Sequence, residues 1–363
     1  MHEKKSCHRP TTPGHRLADG TSDGFVPLKP LDLAKVESVD DLVRGMSSTS
    51  FAGRALGEAA DVLEAMIRDP GCLVVCTLSG AMTVAKMGLV LCDTIDDGWV
   101  QAVVTTGALM AHGFVEAAGL SHFKADPSVP DDVLYEKGYD RVYDTLELEQ
   151  NLDDVEEIVR PVLDRWDPAV PMSSAGFHAA LGEHLERTVP GRGILKSAWR
   201  KRIPVYVPAF TDSELGLDVA LSIQRARSAG RPPIRYDGFL DLEDYKERVL
   251  RAERIGIFTI GGGVPRNWAQ QGGPYLDISQ VRLEIEEPVR RFRYAVRICP
   301  EPDHWGGLSG CTYSEGVSWG KFVPTSMGGR YAEVMADATV AWPLLVKALQ
   351  QRFERVRPPA KDF

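Results

Sequence analysis

The chain has 363 residues, of which 44% are hydrophobic and 26% charged, and its formal net charge is −9. This composition is typical of a globular protein and excludes disordered, collagen-like and coiled-coil classes. The acidic balance, without a basic stripe, argues against nucleic-acid binding. No apolar run approaches the roughly 20 residues of a membrane span, and the polar N-terminus lacks a secretory signal. We therefore expect a soluble, cytoplasmic protein.

Domain organisation and cysteine usage are both simple. Residues 1–24 show no periodicity and are predicted to form a flexible leader, and residues 25–363 are predicted to form one domain. The six cysteines are few and irregularly spaced, so we expect reduced thiols. Cys72 and Cys76 have no second pair or neighbouring histidine that would complete a zinc set, and we predict no metal.

The predicted elements begin with an amphipathic helix from Ser48 to Asp69, which Pro70-Gly71 ends. Nearly continuous apolar runs follow at Cys72–Leu78, Val100–Thr105, Ile203–Ala209, Ile255–Ile260, Tyr294–Cys299 and Tyr331–Ala336. Helical patterns lie between most of them, at Phe114–Leu120, Leu152–Arg165, Ala175–Arg187, Leu240–Arg251 and Thr339–Phe353. Unbroken apolar runs are typical of strands covered on both faces. The pattern predicts a doubly wound, Rossmann-like α/β fold, with a mostly parallel sheet of about six strands and helices on both faces.

Small and hydroxyl-bearing residues follow several of the predicted strands. In a parallel sheet, ligands collect beyond the carboxyl ends of the strands. Candidates there are Ser79, Thr106, Gly107, Asp212, the triplet Gly261-Gly262-Gly263, Asp337 and Ala338. The triplet suits either close approach of a phosphate or a tight strand-to-helix turn. Asp212 either holds ribose hydroxyls or caps a helix that begins near Ser213, and the sequence leaves both pairs of alternatives open.

A second group of candidates lies between Cys311 and Lys321, where Glu315, Trp319 and Lys321 fall within seven residues. A lysine nucleophile must lose its proton, and desolvation against an aromatic wall is one way to lower its pKa from about 10.4. The alternative is an ordinary surface lysine.

Other candidates are less specific. His112 either relays a proton or is a satisfied core histidine. Five acids either line a pocket for a polycation or are simply solvated, and these are Glu214, Asp218, Glu301, Asp303 and Glu315.

At these residues the sequence resembles the deoxyhypusine synthase family. Val317-Ser318-Trp319-Gly320-Lys321 resembles that family's active-site lysine motif, and its residue order is highly specific. Thr105-Thr106-Gly107, Thr211-Asp212, Gly261-Gly262-Gly263-Val264 and Ala336-Asp337-Ala338 occur in the family's order around it. The similarity extends from about Val26 to Arg352.

The resemblance implies an NAD-dependent aminobutyl transfer. NAD takes a hydride from spermidine, diaminopropane leaves, a lysine holds the butylamine fragment as a Schiff base, and an acceptor amine displaces it before the new imine is reduced. In the protein-modifying members the acceptor is one lysine of a translation factor. The family is tetrameric, with paired active sites at dimer interfaces. In the family an N-terminal segment covers the entrance of a neighbouring active site, and the resemblance implies the same role for residues 1–24.

The resemblance also implies roles for individual residues. Lys321 is the nucleophile, and Trp319 and Glu315 contact the polyamine. NAD is contacted by Ser79, Thr106, Gly107, Asp212, Gly262, Asp337 and Ala338. His112, Asp218 and Asn267 are expected on the substrate side.

Several positions depart from the family pattern. Ala111 and His112 replace paired glutamates, Asn267 replaces a histidine, Trp305 and Leu308 replace aspartates, and an expected acid falls on Leu217, one residue before Asp218. These changes resemble bacterial deoxyhypusine synthase-like proteins. They leave three alternatives open: a protein lysine as acceptor, putrescine or agmatine as acceptor with a homospermidine-type product, and a silent NAD- or polyamine-binding protein.

Overall fold

The computed structural model describes residues 19–361 and residue 363. Most of the predicted leader, residues 1–18, lies outside the described residues, and residues 19–24 form a largely exposed turn. Among the described helices, none has the length and apolarity needed to cross a bilayer.

Nine strands form two sheets within the described residues. They are β1 (Cys72–Leu78), β2 (Ala102–Val104), β3 (Phe123–Lys124), β4 (Tyr139–Val142), β5 (Thr145–Leu148), β6 (Val205–Tyr206), β7 (Arg254–Ile260), β8 (Phe292–Ile298) and β9 (Arg330–Val334). The main sheet has six strands in the order β6-β2-β1-β7-β8-β9, and every pair in it is parallel. The predicted α/β fold with a six-stranded parallel sheet is confirmed.

Fourteen α-helices surround these sheets in the described part of the chain. They are α1 (Val39–Ser47), α2 (Phe51–Arg68), α3 (Gly88–Asp96), α4 (Gly107–Ala117), α5 (Asp131–Glu136), α6 (Glu149–Asp164), α7 (Ser174–Thr188), α8 (Ile194–Lys201), α9 (Glu214–Ser228), α10 (Phe239–Arg251), α11 (Gly263–Gln270), α12 (Gly272–Leu283), α13 (Tyr313–Ser318) and α14 (Ala338–Arg355).

Helices cover both faces of the main sheet because alternate side chains of each strand enter different cores. Along β1, Val74 and Cys76 join the apolar cluster that contains residues of α2 and α14. Their neighbours Leu73 and Val75 join a second cluster, with residues of α10 and α12. All seven residues of β1 are buried, which accounts for its unbroken apolar sequence.

Some predicted boundaries were wrong. The run Ile203–Ala209 contains only the two-residue edge strand β6, because Pro204 and Pro208 flank it and proline cannot donate a ladder hydrogen bond. The helix predicted from Phe114 begins at Gly107, because the Thr106 hydroxyl accepts a hydrogen bond from Leu109 N and caps it there.

The antiparallel sheet β3-β5-β4 was not predicted at all. Its three strands have two to four residues each, and β3 and most of β4 are exposed, so neither length nor apolar alternation marks them in the sequence.

The described cysteines are all free thiols, as predicted, and Cys7 lies outside the described residues. Burial raises the pKa of the Cys72 and Cys76 thiols to about 12. Both therefore act as small apolar side chains of the core.

A buried ion cluster joins the two ends of the domain. Arg352 on α14 donates to Asp40 of α1 at 2.5 Å and to Asp61 of α2 at 2.8 Å, and the Asp40 side chain has no exposed surface. Arg44 of α1 also donates to Asp40, at 2.9 Å, so this buried carboxylate has two cationic partners.

We expect Arg352→Ala to lower the free energy of unfolding by about 1–3 kcal/mol, because Asp40 loses its buried hydrogen-bond donor and keeps only Arg44 as a cationic partner. Urea denaturation measures the loss. Arg355→Ala, on an exposed position of the same helix, is the matched control and should change stability by less than about 0.5 kcal/mol. A loss below about 1 kcal/mol for Arg352→Ala would contradict this role.

Candidate active site

The strand order of the main sheet reverses between β1 and β7, since β2 and β6 extend to one side of β1 while β7, β8 and β9 extend to the other. Ligands of open α/β sheets bind at such a switch point, beyond the carboxyl ends of the strands. Two cavities lie there. We call them the strand-end cleft, of about 650 Å³, and the lysine pocket, of about 430 Å³.

The strand-end cleft is built from the segments that follow four strands. Ser79, Thr106, Gly107 and Asp212 all line it, as the sequence predicted. The Thr106 hydroxyl donates to Gly80 O at 2.9 Å, and this bond ties the turn after β2 to the turn after β1. Helices α4, α9 and α11 begin at this cleft, so unpaired backbone N–H groups are available to an anionic ligand.

The glycine triplet makes the turn from β7 into α11. Gly261 has φ +80° and Gly263 φ +62°, and a Cβ on Gly261 would lie 2.1 Å from Ser79 Oγ. Gly262 N donates to the same Ser79 hydroxyl at 2.9 Å. The tight-turn interpretation is therefore correct, and because Gly263 also lines the cleft, close approach of a phosphate stays a prediction alongside it.

The two interpretations of Asp212 are now separated. Ser213 is the N-cap of α9, and its hydroxyl accepts from Gly216 N at 3.1 Å, so the capping alternative for Asp212 was wrong. Asp212 is exposed in the cleft, beside Glu214. Glu214 Oε2 is buried and has no hydrogen-bond partner among the described residues. These two carboxylates are acceptors available to ligand hydroxyl groups.

Two predicted cofactor residues lie farther away. Asp337 and Ala338 begin α14 after β9, the strand at the edge of the sheet and three places from β1. The Asp337 carboxylate accepts from Thr339 N at 2.8 Å and caps this helix. Neither residue lines the cleft or the lysine pocket, and their contact with a cofactor stays a prediction.

Lys321 lies in the second cavity, half-buried beside Asn267, Glu315 and Trp319. Its Nζ donates to Asn267 Oδ1 at 3.1 Å. Burial lowers the pKa of Lys321, the nearby Cys311 and Glu315 oppose that change, and the Arg266 guanidinium reinforces it. The sequence predicted this direction, and the alternative of a solvated surface lysine was wrong.

The backbone around Lys321 is fixed by the end of α13. Lys321 N donates to Gly316 O and Gly320 N to Val317 O, both at 3.0 Å, which is the hydrogen-bond pattern of a Schellman motif. Gly320 occupies its left-handed position with φ +67°. Lys321 O then accepts from Phe292 N at 3.0 Å, so the lysine leads directly into the main sheet. The Trp-Gly-Lys order therefore has a structural reason as well as a chemical one.

Helix α11 connects the two cavities. Its first residues, Gly263, Val264 and Pro265, line the cleft, and Asn267 and Gln270 line the lysine pocket. One turn of helix therefore separates the cleft from the residue that contacts Lys321 Nζ.

Two residues expected on the substrate side line neither cavity. His112 lies within α4, where its Nδ1 is 2.5 Å from Glu147 Oε2. Asp218 lies on α9 with Glu156, Arg160 and Arg225 as charged neighbours, and burial raises its pKa to about 6. Their contact with substrate stays a prediction.

The structure does not bring the five candidate acids together in one cavity. Glu315 lines the lysine pocket and Glu214 the cleft, whereas Asp218, Glu301 and Asp303 line neither cavity.

Sequence reasoning missed the most buried member of the lysine pocket. Arg266 has 2% of its surface exposed, donates to Cys311 O at 2.7 Å, and places its guanidinium 5.1 Å from the centre of the Tyr313 ring. The only sequence feature that could have identified Arg266 as a pocket residue is its position next to Asn267. Also missed were Cys311 and Gln270, whose buried Nε2 has no partner among the described residues.

The fold and the two adjoining cavities define a doubly wound α/β protein with a ligand site at its switch point. Residues 41–349 match the family model described as deoxyhypusine synthase. The chain is 32% identical over 338 residues to a probable deoxyhypusine synthase 2 of Methanosarcina acetivorans, covering 93% of each protein. It is 31% identical over 322 residues to a deoxyhypusine synthase-like protein of Elusimicrobium minutum, covering 88% of this chain and 82% of that one.

The fold is also similar to a crystal structure of a putative deoxyhypusine synthase from Entamoeba histolytica. The TM-score is 0.55 at 15% identity, over 88% of this chain and 96% of the other. The chain belongs to the deoxyhypusine synthase family, which confirms the resemblance identified in the sequence.

We expect Gly320→Ala to destabilise the fold by about 1–2 kcal/mol, because a Cβ disfavours the left-handed conformation, and to alter the reactivity of Lys321. Gly230→Ala is a matched control, since Gly230 has φ +65° in the same motif at the end of α9. Denaturation and amine-selective labelling check the pair. Equal effects of both variants on Lys321 labelling would contradict a positioning role for Gly320.

The lowered pKa of Lys321 predicts a pH profile. The neutral amine is the reactive form, so labelling of Lys321 should reach half its maximal rate below lysine's ordinary pKa of about 10.4. Mass spectrometry measures the rate as a function of pH, with exposed Lys124 as a reference for the reagent.

Leu308→Asp adds a carboxylate to the pocket wall and should move the Lys321 midpoint upward by as much as about one pH unit. A labelling profile that is unchanged in Leu308→Asp, or a Lys321 midpoint of about 10.4 in the original protein, would contradict a desolvated lysine in this pocket.

Proposed function

We propose that the protein is an NAD-dependent transferase that moves a 4-aminobutyl group from spermidine to an acceptor amine through a Schiff base on Lys321. Membership of the deoxyhypusine synthase family supports the reaction class. The single observation that carries the proposal is a half-buried lysine amine, lowered in pKa and hydrogen-bonded to Asn267, which lies one helical turn from a ligand cleft.

The residues of the strand-end cleft fit NAD. Its volume lies within the range of about 300–1,000 Å³ typical of small-molecule sites. The beginnings of α4 and α11 offer N–H groups to the pyrophosphate, and Asp212 and the unpartnered Glu214 Oε2 offer acceptors to ribose hydroxyls. When bound, NAD supplies the hydride transfer that oxidises the donor and reduces the product.

Lys321 is the nucleophile in this proposal. Burial disfavours its ammonium form, and the bond from Nζ to Asn267 Oδ1 holds the amine in one orientation. The neutral amine adds to the electrophilic carbon of the oxidised donor, and the diaminopropane nitrogen leaves with a proton. The resulting imine on Lys321 is then attacked by the acceptor amine, which frees the lysine.

Glu315 and Trp319 bind the cationic donor. Glu315 is the one carboxylate lining the pocket in the described part of the chain, and the Trp319 ring lies at the pocket with 67% of its surface exposed. A carboxylate and an indole face both attract an ammonium group.

The apolar surface around the cavities supports a homo-oligomer, in the family a tetramer. Val264, Trp305, Leu308 and Trp319 are all between 48% and 72% exposed. Apolar exposure of this extent is typical of a protein interface. A second copy of the chain is the partner proposed for it.

A small amine such as putrescine or agmatine is the second candidate acceptor. Its support is the composition of the lysine pocket, where Leu308, Ile278 and Pro274 accompany a single carboxylate and the Arg266 cation lies in the wall. Such a wall suits a ligand with few positive charges better than a strongly cationic one.

The proposed intermediate can be trapped directly. With spermidine and NAD present, borohydride reduction should leave a 4-aminobutyl adduct on Lys321, identified by peptide mass spectrometry. Lys321→Arg and a reaction without NAD are the controls, and both should give no adduct. A folded protein that binds NAD and spermidine but yields neither the adduct nor nicotinamide reduction would instead be the silent binding protein.

The acceptor is identified by product analysis. The protein is incubated with spermidine, NAD and, separately, putrescine, agmatine or the lysine-bearing translation factor. Modified translation factor supports the deoxyhypusine activity, and a new polyamine with no protein modification supports the small-amine reaction.

A further inference from the structure

A cluster of two histidines and one glutamate lies outside both cavities. His112 belongs to α4, His122 to the loop after it, and Glu147 to β5 of the small sheet. One ligand atom from each lies within 4.8 Å of the others. The side chains of His122 and Glu147 are 1% and 3% exposed, and that of His112 is 14% exposed. Three metal-ligating groups therefore converge beneath the surface.

Part of this cluster has no hydrogen-bond partner. His122 Nε2 and Glu147 Oε1 are both buried, and neither has a partner among the described residues. His112 Nδ1 is 2.5 Å from Glu147 Oε2, and His122 Nε2 is 3.5 Å from the same oxygen. Buried polar atoms are normally satisfied, so a ligand that contacts both of these atoms would complete the cluster.

We propose that His112, His122 and Glu147 bind a Zn²⁺ ion that fastens the small antiparallel sheet to α4. Two imidazoles and one carboxylate are a known three-residue ligand set for zinc, with water in the fourth position. Bonds of about 2.0–2.1 Å in a tetrahedral shell place neighbouring ligand atoms about 3.3 Å apart. The separation of 3.5 Å between His122 Nε2 and Glu147 Oε2 already fits, and the shorter His112 contact opens to admit the ion.

Zinc binding requires Lys86 to give up its contact with His122. Its Nζ lies 2.8 Å from His122 Nδ1 and 3.1 Å from Glu116 Oε1. Zinc on Nε2 places the remaining proton of His122 on Nδ1, so the Lys86 ammonium must leave that nitrogen. The Lys86 side chain is 46% exposed and can turn fully to Glu116, with which it already pairs.

Once Lys86 has turned to Glu116, the remaining charges around the cluster favour a cation. Glu147 contributes one negative charge, and Glu214 and Asp140 lie close enough to His112 to act on it electrostatically. Glu214 also lines the strand-end cleft. The proposed role of the ion is structural, because the three strands are short and β3 and most of β4 are exposed, so burial alone holds the small sheet weakly.

The ligands are far apart in the sequence, which is why sequence analysis predicted no metal. His122 follows His112 by ten positions, and Glu147 lies 35 positions beyond His112. No short spacing motif joins them, and only the pairing of β3 with β5 brings Glu147 beside the loop that carries His122.

The test is the zinc content of the untagged full-length protein. The protein is purified from zinc-supplemented medium and passed through gel filtration. Elemental mass spectrometry should then find about one zinc ion per chain, and a lower zinc content in His122→Ala. Chelator treatment should lower the Tm of the original protein, and zinc should restore it. His184→Ala removes a histidine of α7 outside the cluster and should behave as the original protein.

Two further measurements keep the proposal falsifiable if His122→Ala folds poorly. His122→Gln retains much of the side-chain volume and should fold without zinc, and Co²⁺ added to the stripped original protein should show the absorption of a tetrahedral site, absent in the variant. An original protein that binds neither Zn²⁺ nor Co²⁺ above the level of His122→Gln overturns the proposal. The cluster is then a hydrogen-bonded His-Glu-His group.

Discussion

Two main-chain hydrogen bonds at the end of α13 fix the backbone from which the Lys321 side chain extends. They close the turn through Gly320, and the next peptide bonds pair Lys321 with Phe292 at the start of β8. The lysine backbone is thus fixed by a helix end on one side and by the main sheet on the other. Only the side chain is free to adjust, and Asn267 holds it from α11. A side chain anchored in this way keeps its position when the charge of its amine changes.

The strand order of the main sheet explains why the two cavities adjoin. Strand order reverses between β1 and β7, so the segments after these strands diverge and leave room at the carboxyl edge. Helix α11 begins in that gap and lines both cavities. The arrangement places a ligand cleft beside a partly desolvated lysine.

The sequence predicted the main sheet well because its strands are buried on both faces and read as unbroken apolar runs, as in β1. It also predicted Ser79, Thr106, Gly107 and Asp212 in the cleft, since the position after a parallel strand specifies where a residue lies. The family resemblance supplied the role of Lys321, which composition alone left open.

Other features of the structure could not be predicted from the sequence, for physical reasons. The small sheet lacks the length and alternation that mark strands, and the cluster around Glu147 depends on that sheet. Arg266 is buried by backbone carbonyl partners that no local pattern reveals. Asp337 follows β9 as predicted, but strand order places β9 at the far edge, and strand order is not written in local sequence.

Helix α11 has only eight residues and is too short to bend, so its two ends move together. A ligand that displaces Gly263 therefore also displaces Asn267, and the hydrogen bond to Lys321 responds to what fills the neighbouring cleft. The surroundings of the Lys321 amine are therefore linked, through one short rigid segment, to the occupancy of a cavity that the amine does not itself line.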